Sequence, residues 1–267
     1  MHFRRLTSPM LLGLLLVALS PALLRAQPAT DPYNFSNIPV DEYGSSNAYV
    51  GFGGGFAGLV MLPNYDGINS LASRASLPGF EGPFVMLGGG GFGSALLVDN
   101  MRIGAYGFSG SKSVEDTVAI GGTPYNRSMT FAHGLTAGGI DYAIRLGGGF
   151  TLVPGIMLGA STYTLQTAQS QEELDASNLL PGAGDPNTFT SRVTSDQLFY
   201  YPNISLEWVV LKYMMLRVGA GYSGVFVGSD GLDWRDGNDH KVNGMPDIST
   251  NGATFQFGIY VGFFQLR

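Results

Sequence analysis

After residue 47 the chain alternates apolar and polar positions with a period of two. In the last segment Phe255, Phe257, Ile259, Val261 and Phe263 share one face, while Thr254, Gln256, Gly258, Tyr260 and Gly262 share the other. Successive side chains of a strand point to opposite faces, so the pattern predicts a strand with one face in an apolar medium. In 48–62, Val50, Phe52, Phe56, Val60 and Leu62 oppose Gly51, Gly53, Gly55 and Ala57. In 195–210, Leu198, Tyr200, Ile204, Leu206 and Trp208 oppose Gln197, Asn203, Ser205 and Glu207. In 214–227, Met214, Leu216, Val218, Ala220 and Tyr222 oppose Met215, Arg217, Gly219, Gly221 and Ser223. Segments 83–98, 101–112, 127–146 and 150–168 also carry strand chemistry. The first of these is too rich in glycine to orient, and 127–146 changes phase near Ala137.

These eight segments are joined by connections of alternating length. Long polar stretches, 63–82, 113–126, 169–194 and 228–251, alternate with short turns at Asp99-Asn100, Gly147-Gly148-Gly149 and Leu211-Lys212-Tyr213. The segments exceed the roughly 5 to 6 residues of an ordinary strand. They suit a tilted membrane-crossing strand of about 9 to 11 residues with its rims. The fold class this predicts is all-β: an eight-stranded antiparallel up-and-down transmembrane β-barrel with short periplasmic turns and long extracellular loops.

The run "LGGGGFGSALLVDNMRIGAYGF" (87–108) tests that reading, because Gly88, Gly90 and Gly93 have the G-x-G-x-x-G spacing of a dinucleotide-binding turn. Such a turn works only where a helix follows and offers its N-terminal amides to phosphate. Here an apolar run, Asp99-Asn100 and a second apolar run follow, the pattern of a hairpin. The glycines therefore read as barrel wall, where inward-facing ones leave room for side chains from the opposite wall and permit tight coiling.

Composition agrees. The chain has 40 glycines and no cysteine in 267 residues, and only 13% of its residues are charged. Without cysteine there is no disulfide framework, thiolate metal site or lipoprotein anchor. The start, Met1-His2-Phe3-Arg4-Arg5 followed by the apolar stretch 10–24, predicts a signal peptide over 1–26, with cleavage after Ala26. Its removal takes three arginines and no acid, moving the formal charge from −6 to −9. So acidic a chain is no nucleic-acid binder. Residues 27–47, with three prolines and no apolar period, predict an extended tail ahead of a barrel over 48–267.

The alternation of loops and the aromatic last segment "TFQFGIYVGFFQLR" (254–267) resemble the small eight-stranded outer-membrane barrels, the OmpA-like, OmpX-like and OmpW-like proteins. The resemblance covers 48–267 and is architectural. It implies the outer membrane as location and outer-membrane lipid, lipopolysaccharide and the barrel-assembly machinery as partners. Members of that group usually end on an aromatic residue. Here Phe264 is followed by Gln265-Leu266-Arg267, a departure from that signal.

Candidate chemistry is sparse. Glu207 and Arg217 lie equidistant from Lys212, so they are expected as cross-strand neighbours on one face. Arg102, Asp141 and Arg145 are expected to point inward near the same rim, completing a lumen charge network that satisfies its own members or plugs the passage. His133 is the one histidine within a strand, with no serine or carboxylate at a catalytic spacing. The last long loop carries Asp230, Asp233, Asp236, Asp239 and Asp247. Solvated acids are the plain reading; calcium or magnesium held by Asp230, Asp233, Asp236 and Asp239 is the alternative, although the EF-hand spacing is absent. No other cofactor is expected. The expected function is a non-enzymatic envelope barrel that presents its loops. A narrow channel for small solutes or apolar molecules, and a soluble periplasmic barrel for an apolar ligand, are its rivals.

Overall fold

A computed structural model describes residues 49–95, 97–171, 187–226, 233–245 and 251–264. The expected signal peptide and tail lie outside these, as do Asp230 and Asp247. Among the described residues ten strands form: β1 (Gly51–Met61), β2 (Phe84–Ser94), β3 (Met101–Ile120), β4 (Thr123–Tyr142), β5 (Ile144–Gly147), β6 (Phe150–Ser170), β7 (Phe189–Leu211), β8 (Met214–Phe226), β9 (Arg235–Asp236) and β10 (Gly252–Phe264). One helix, α1 (Asp66–Arg74), sits in the first long connection.

Eight of the strands close into a ring. Each of β1, β2 and β3 pairs antiparallel with the next, β4 pairs with β6, β6 with β7, β7 with β8 and β8 with β10. The ring is sealed where β1 meets β10 along an unbroken register from Gly51↔Phe264 to Met61↔Thr254. A closed ring removes the sheet edges that a bilayer would leave unbonded. β5 is a short continuation of β4 against β6, and β9 clips onto β7 through Val193↔Asp236 and Thr194↔Arg235.

The outward face of the half nearest the short turns is apolar. Phe52, Phe56, Ile103, Ile140, Ile156, Leu158, Leu198, Ile204, Trp208, Val218, Phe257, Ile259 and Val261 are all exposed. A soluble protein does not leave so continuous a belt facing water. The strands that carry this belt cross the membrane, and among the described residues no helix is long and apolar enough to do so. The barrel is of the outer-membrane type.

Four neighbouring strands continue past the belt. β3, β4, β6 and β7 run to 20, 20, 21 and 23 residues, against 11 to 13 for β1, β2, β8 and β10. Together they raise a wall above the long-loop rim. Here two expectations are corrected. Residues 113–126 form no loop: the strands pair up to Ile120↔Thr123, joined by Gly121 and Gly122 at φ of +60° and +86°. A two-residue turn with both φ positive matches the twist of a hairpin and calls for glycine. Nor does β4 change phase at Ala137. Tyr125, Met129, Phe131, His133, Leu135 and Ala137 all face inward. What changes is the outward face, from Asn126, Ser128 and Thr130 in the wall to Ile140 and Tyr142 in the belt.

Two smaller differences follow from backbone bonding. The turn after β2 is wider than Asp99-Asn100: Ala95 N–H donates to the Met101 carbonyl and Met101 N–H to the Val98 carbonyl, with Asn100 at φ +64°. The glycine run is wall, and Gly88 and Gly90 face inward. The ring that Gly90 makes room for belongs to Tyr106, its partner on the adjacent strand rather than the opposite wall.

Candidate functional site: a filled lumen

The lumen has two storeys. In the lower, four charged side chains meet. Arg102 Nε donates to Asp141 at 2.6 Å, and its two terminal nitrogens donate to Glu207 at 2.7 and 2.9 Å. Arg217 donates to Glu207 through Nε at 2.8 Å and through Nη2, and through Nη1 to the Tyr106 hydroxyl at 2.9 Å. Glu207 and Arg217 are direct cross-strand partners, as are Arg102 and Asp141. The two pairs stand on separate hairpins, and Arg102 reaches from one to the other.

Two arginines and two carboxylates leave the cluster without net charge. That matters because Arg102, Glu207 and Arg217 are almost wholly buried, and an unpaired charge there would cost several kcal/mol. Aromatic rings complete the packing. The Phe92 ring lies 4.2 Å from the Arg102 guanidinium and 5.0 Å from that of Arg217, and Tyr260 lies 4.9 Å from the latter. Of the five network residues expected from the sequence, the structure brings four together. Arg145, on β5, forms no ion pair with them.

The upper storey is mainly apolar. Leu59, Met61, Phe84, Met86, Phe131, Tyr163 and Leu165 are buried in it. α1 lays Ile68 and Ala72 over this core. The connection is pinned by the Asn69 amide, which accepts from Phe80 N–H at 2.6 Å and donates to the Phe80 carbonyl at 3.1 Å. Arg127 Nη1 donates to the carbonyl of Ala75 at the helix end, where the helix dipole favours a cation. Burial pushes the Tyr65 hydroxyl, beside α1, up to about 12, so it stays protonated.

His133 sits in this core with Nε2 2.7 Å from Ser161 Oγ, between the rings of Tyr163 and Phe84. No carboxylate among the described residues bonds to it, so the pair lacks the acid that orients a catalytic histidine. An open depression of about 450 Å³ lies on the outer wall beside Leu87, Gly107, Ser109 and Thr162.

In the last loop, Trp234 is buried and Arg235 pairs with two of the acids. Arg235 bonds Asp233 at 2.7 Å and Asp239 at 3.1 Å. Asp236 accepts from the backbone of His240 at 2.8 Å and lies 3.2 Å from its ring. Among the described residues no three His, Cys, Asp or Glu side chains gather to hold a metal. Asp233, Asp236 and Asp239 thus brace a small hairpin, while Asp230 lies outside the described residues.

No protein-family model matches the chain, and no curated protein matches its sequence. Among solved structures it is similar to Ail, the attachment invasion locus protein of Yersinia pestis, seen in complex with the heparin analogue sucrose octasulfate. The identity there is 8% and the TM-score 0.41, over 82% of this chain and 100% of that one. A major outer membrane protein from Thermus thermophilus is 10% identical at TM-score 0.40, over 79% and 99% of the two chains. The outer membrane protein OprG from Pseudomonas aeruginosa is 12% identical at TM-score 0.36, over 82% and 97%. The chain's own register and burial, beyond these distant likenesses, make it an eight-stranded membrane-spanning barrel.

Proposed function

We propose that this protein is a non-enzymatic, non-conducting outer-membrane barrel that anchors a rigid sheet above the bilayer and presents it to the outside. The observation that carries the reading is the filled lumen. A solute would have to part Arg102 and Arg217 from Glu207 below and displace α1 from the aromatic core above. Eight strands enclose just enough interior for side chains to fill. The strands that outrun the belt are then the working part, and the barrel is their mount.

The chain has no cysteine, which makes labelling simple. A cysteine at Gly121 is expected to react with a membrane-impermeant maleimide on intact cells, whereas one at Tyr213, in a short turn, reacts only after permeabilisation. In planar bilayers the purified barrel is expected to show no conductance. Regular single-channel steps, or labelling in the reverse order, would overturn the reading.

A further inference from the structure

The raised wall has two side edges, and they are treated differently. On β7 the edge beyond Leu198, where pairing with β8 ends, is covered at Val193 and Thr194 by β9. On β3 the edge beyond Ser109, where pairing with β2 ends, has no covering strand among the described residues. Lys112 reaches the Glu81 carbonyl, and past it Ser113, Glu115, Thr117 and Ala119 are exposed. The turn fixes which groups face this edge. In a two-residue hairpin Ile120 and Thr123 exchange both backbone bonds, so even residues of β3 bond to β4 and odd residues point away. Pro124, which has no N–H to give, stands opposite Ala119 as that alternation requires. Thr117 N–H is taken by the Asp116 carboxylate at 2.7 Å. Among the described residues no backbone group bonds to the edge of Ser113, Glu115 or Ala119.

Resting on the reading of the wall as an outward platform, we propose that the β3 edge from Ser113 to Ala119 is a docking site for an extended peptide segment bearing basic side chains. The edge groups supply a ready strand partner. Glu115 and Asp116 supply the charge preference: no cation lies on 113–120, and the Lys112 ammonium just before them is turned to the backbone carbonyl of Glu81. A second copy in the same bilayer does not fit. Its β3 runs in the same direction, and a twofold axis along the membrane normal pairs each residue with itself. A parallel ladder needs edge-facing residues of one strand offset by an odd step from those of the other, which that symmetry forbids. The segment therefore comes from outside.

The test uses the full-length mature barrel in nanodiscs and three synthetic peptides of roughly ten residues, longer than an ordinary strand. One alternates threonine with lysine, one threonine with glutamate, and the third carries the same lysines interrupted by prolines. The first is expected to bind and to slow amide exchange at Ser113, Glu115 and Ala119. Ala119→Pro removes one edge N–H without touching a β3–β4 bond, and Glu115→Lys reverses the charge. Each is expected to weaken binding by about tenfold, the upper range for one lost hydrogen bond, while heat-modifiable migration on a gel stays that of the parent. The proposal is overturned if the proline-interrupted peptide binds as well as the first, if both variants bind like the parent, or if the edge amides gain no protection. Those failures leave the maleimide labelling and the closed lumen untouched, so they are separable from failure of the platform reading.

Discussion

The two halves of the barrel apply opposite rules to the same strands. In the belt, the outward positions of β6 are Ile156 and Leu158 and of β7 Ile204, Leu206 and Trp208, while the lumen holds Arg102, Asp141, Glu207 and Arg217. In the wall, the outward positions of β6 are Thr162, Thr164 and Gln166 and of β7 Thr190, Thr194 and Asp196, while Tyr163, Leu165 and Phe131 pack inside. The backbone and its alternation run through unchanged. The solvent outside changes, from hydrocarbon to water, and the apolar residues move to whichever face is away from water. Thus the wall folds like half of a soluble sandwich around α1, and the belt like a membrane protein.

The largest expected effect lies in the lower lumen. Glu207→Gln leaves Arg217 buried with no carboxylate and should destabilise the barrel by about 3 to 5 kcal/mol, as breaking a buried pair does. Arg217→Met should also destabilise, and the double variant should be milder than the sum of the two. Urea unfolding in lipid vesicles measures all three. Strict additivity would mean that the two side chains do not interact, and the belt interior would then not be an ion-paired core.

Next comes the outward face, compared within one strand. Ile156→Arg, in the belt, should cost about 2 to 4 kcal/mol. Gln166→Arg, on the same face of β6 but in the wall, should stay within about 0.5 kcal/mol of the parent. Equal costs in the same unfolding assay would erase the boundary between the halves.

This inversion also explains what the sequence disclosed and what it hid. Belt strands announce themselves, because lipid demands an unbroken outward run such as Phe255, Phe257, Ile259, Val261 and Phe263. The wall strands carry Ser113, Glu115 and Thr117 outward, which reads as a polar loop to anyone looking for a lipid face. The signal that was present, Gly121-Gly122 between two alternating runs, is a hairpin turn. The apparent phase change in β4 is the water boundary itself, seen as a shift of apolar residues from one face to the other. α1 left a trace too, in Ile68, Leu71 and Ala72 at helical spacing. The Glu207–Arg217 pair was legible because a hairpin makes it local. Arg102 joining Glu207 across 105 residues depends on ring closure, which no local pattern encodes.

The smallest expected effect belongs to the hairpin that covers the β7 edge. The Asp236 carboxylate is held below the usual aspartate range, first by the backbone N–H of His240, then by those of Asn238 and the His240 ring. A carboxylate whose pKa is lower folded than unfolded contributes its stability at neutral pH, above the unfolded value. It loses that contribution as pH falls through the folded value. The hairpin should therefore loosen below about pH 4, the ordinary range of an aspartate. The expected readings are a carboxyl carbon of Asp236 that titrates below a free aspartate, and protection of the His240 amide that falls over the same interval. Asp236→Asn keeps an oxygen to accept both backbone bonds but cannot ionise, so its His240 protection should be flat across that interval. If the parent is equally flat, the carboxylate's charge does not fasten β9, and the covered edge of the wall is held by Trp234, the Arg235 ion pairs and the β9–β7 pairing.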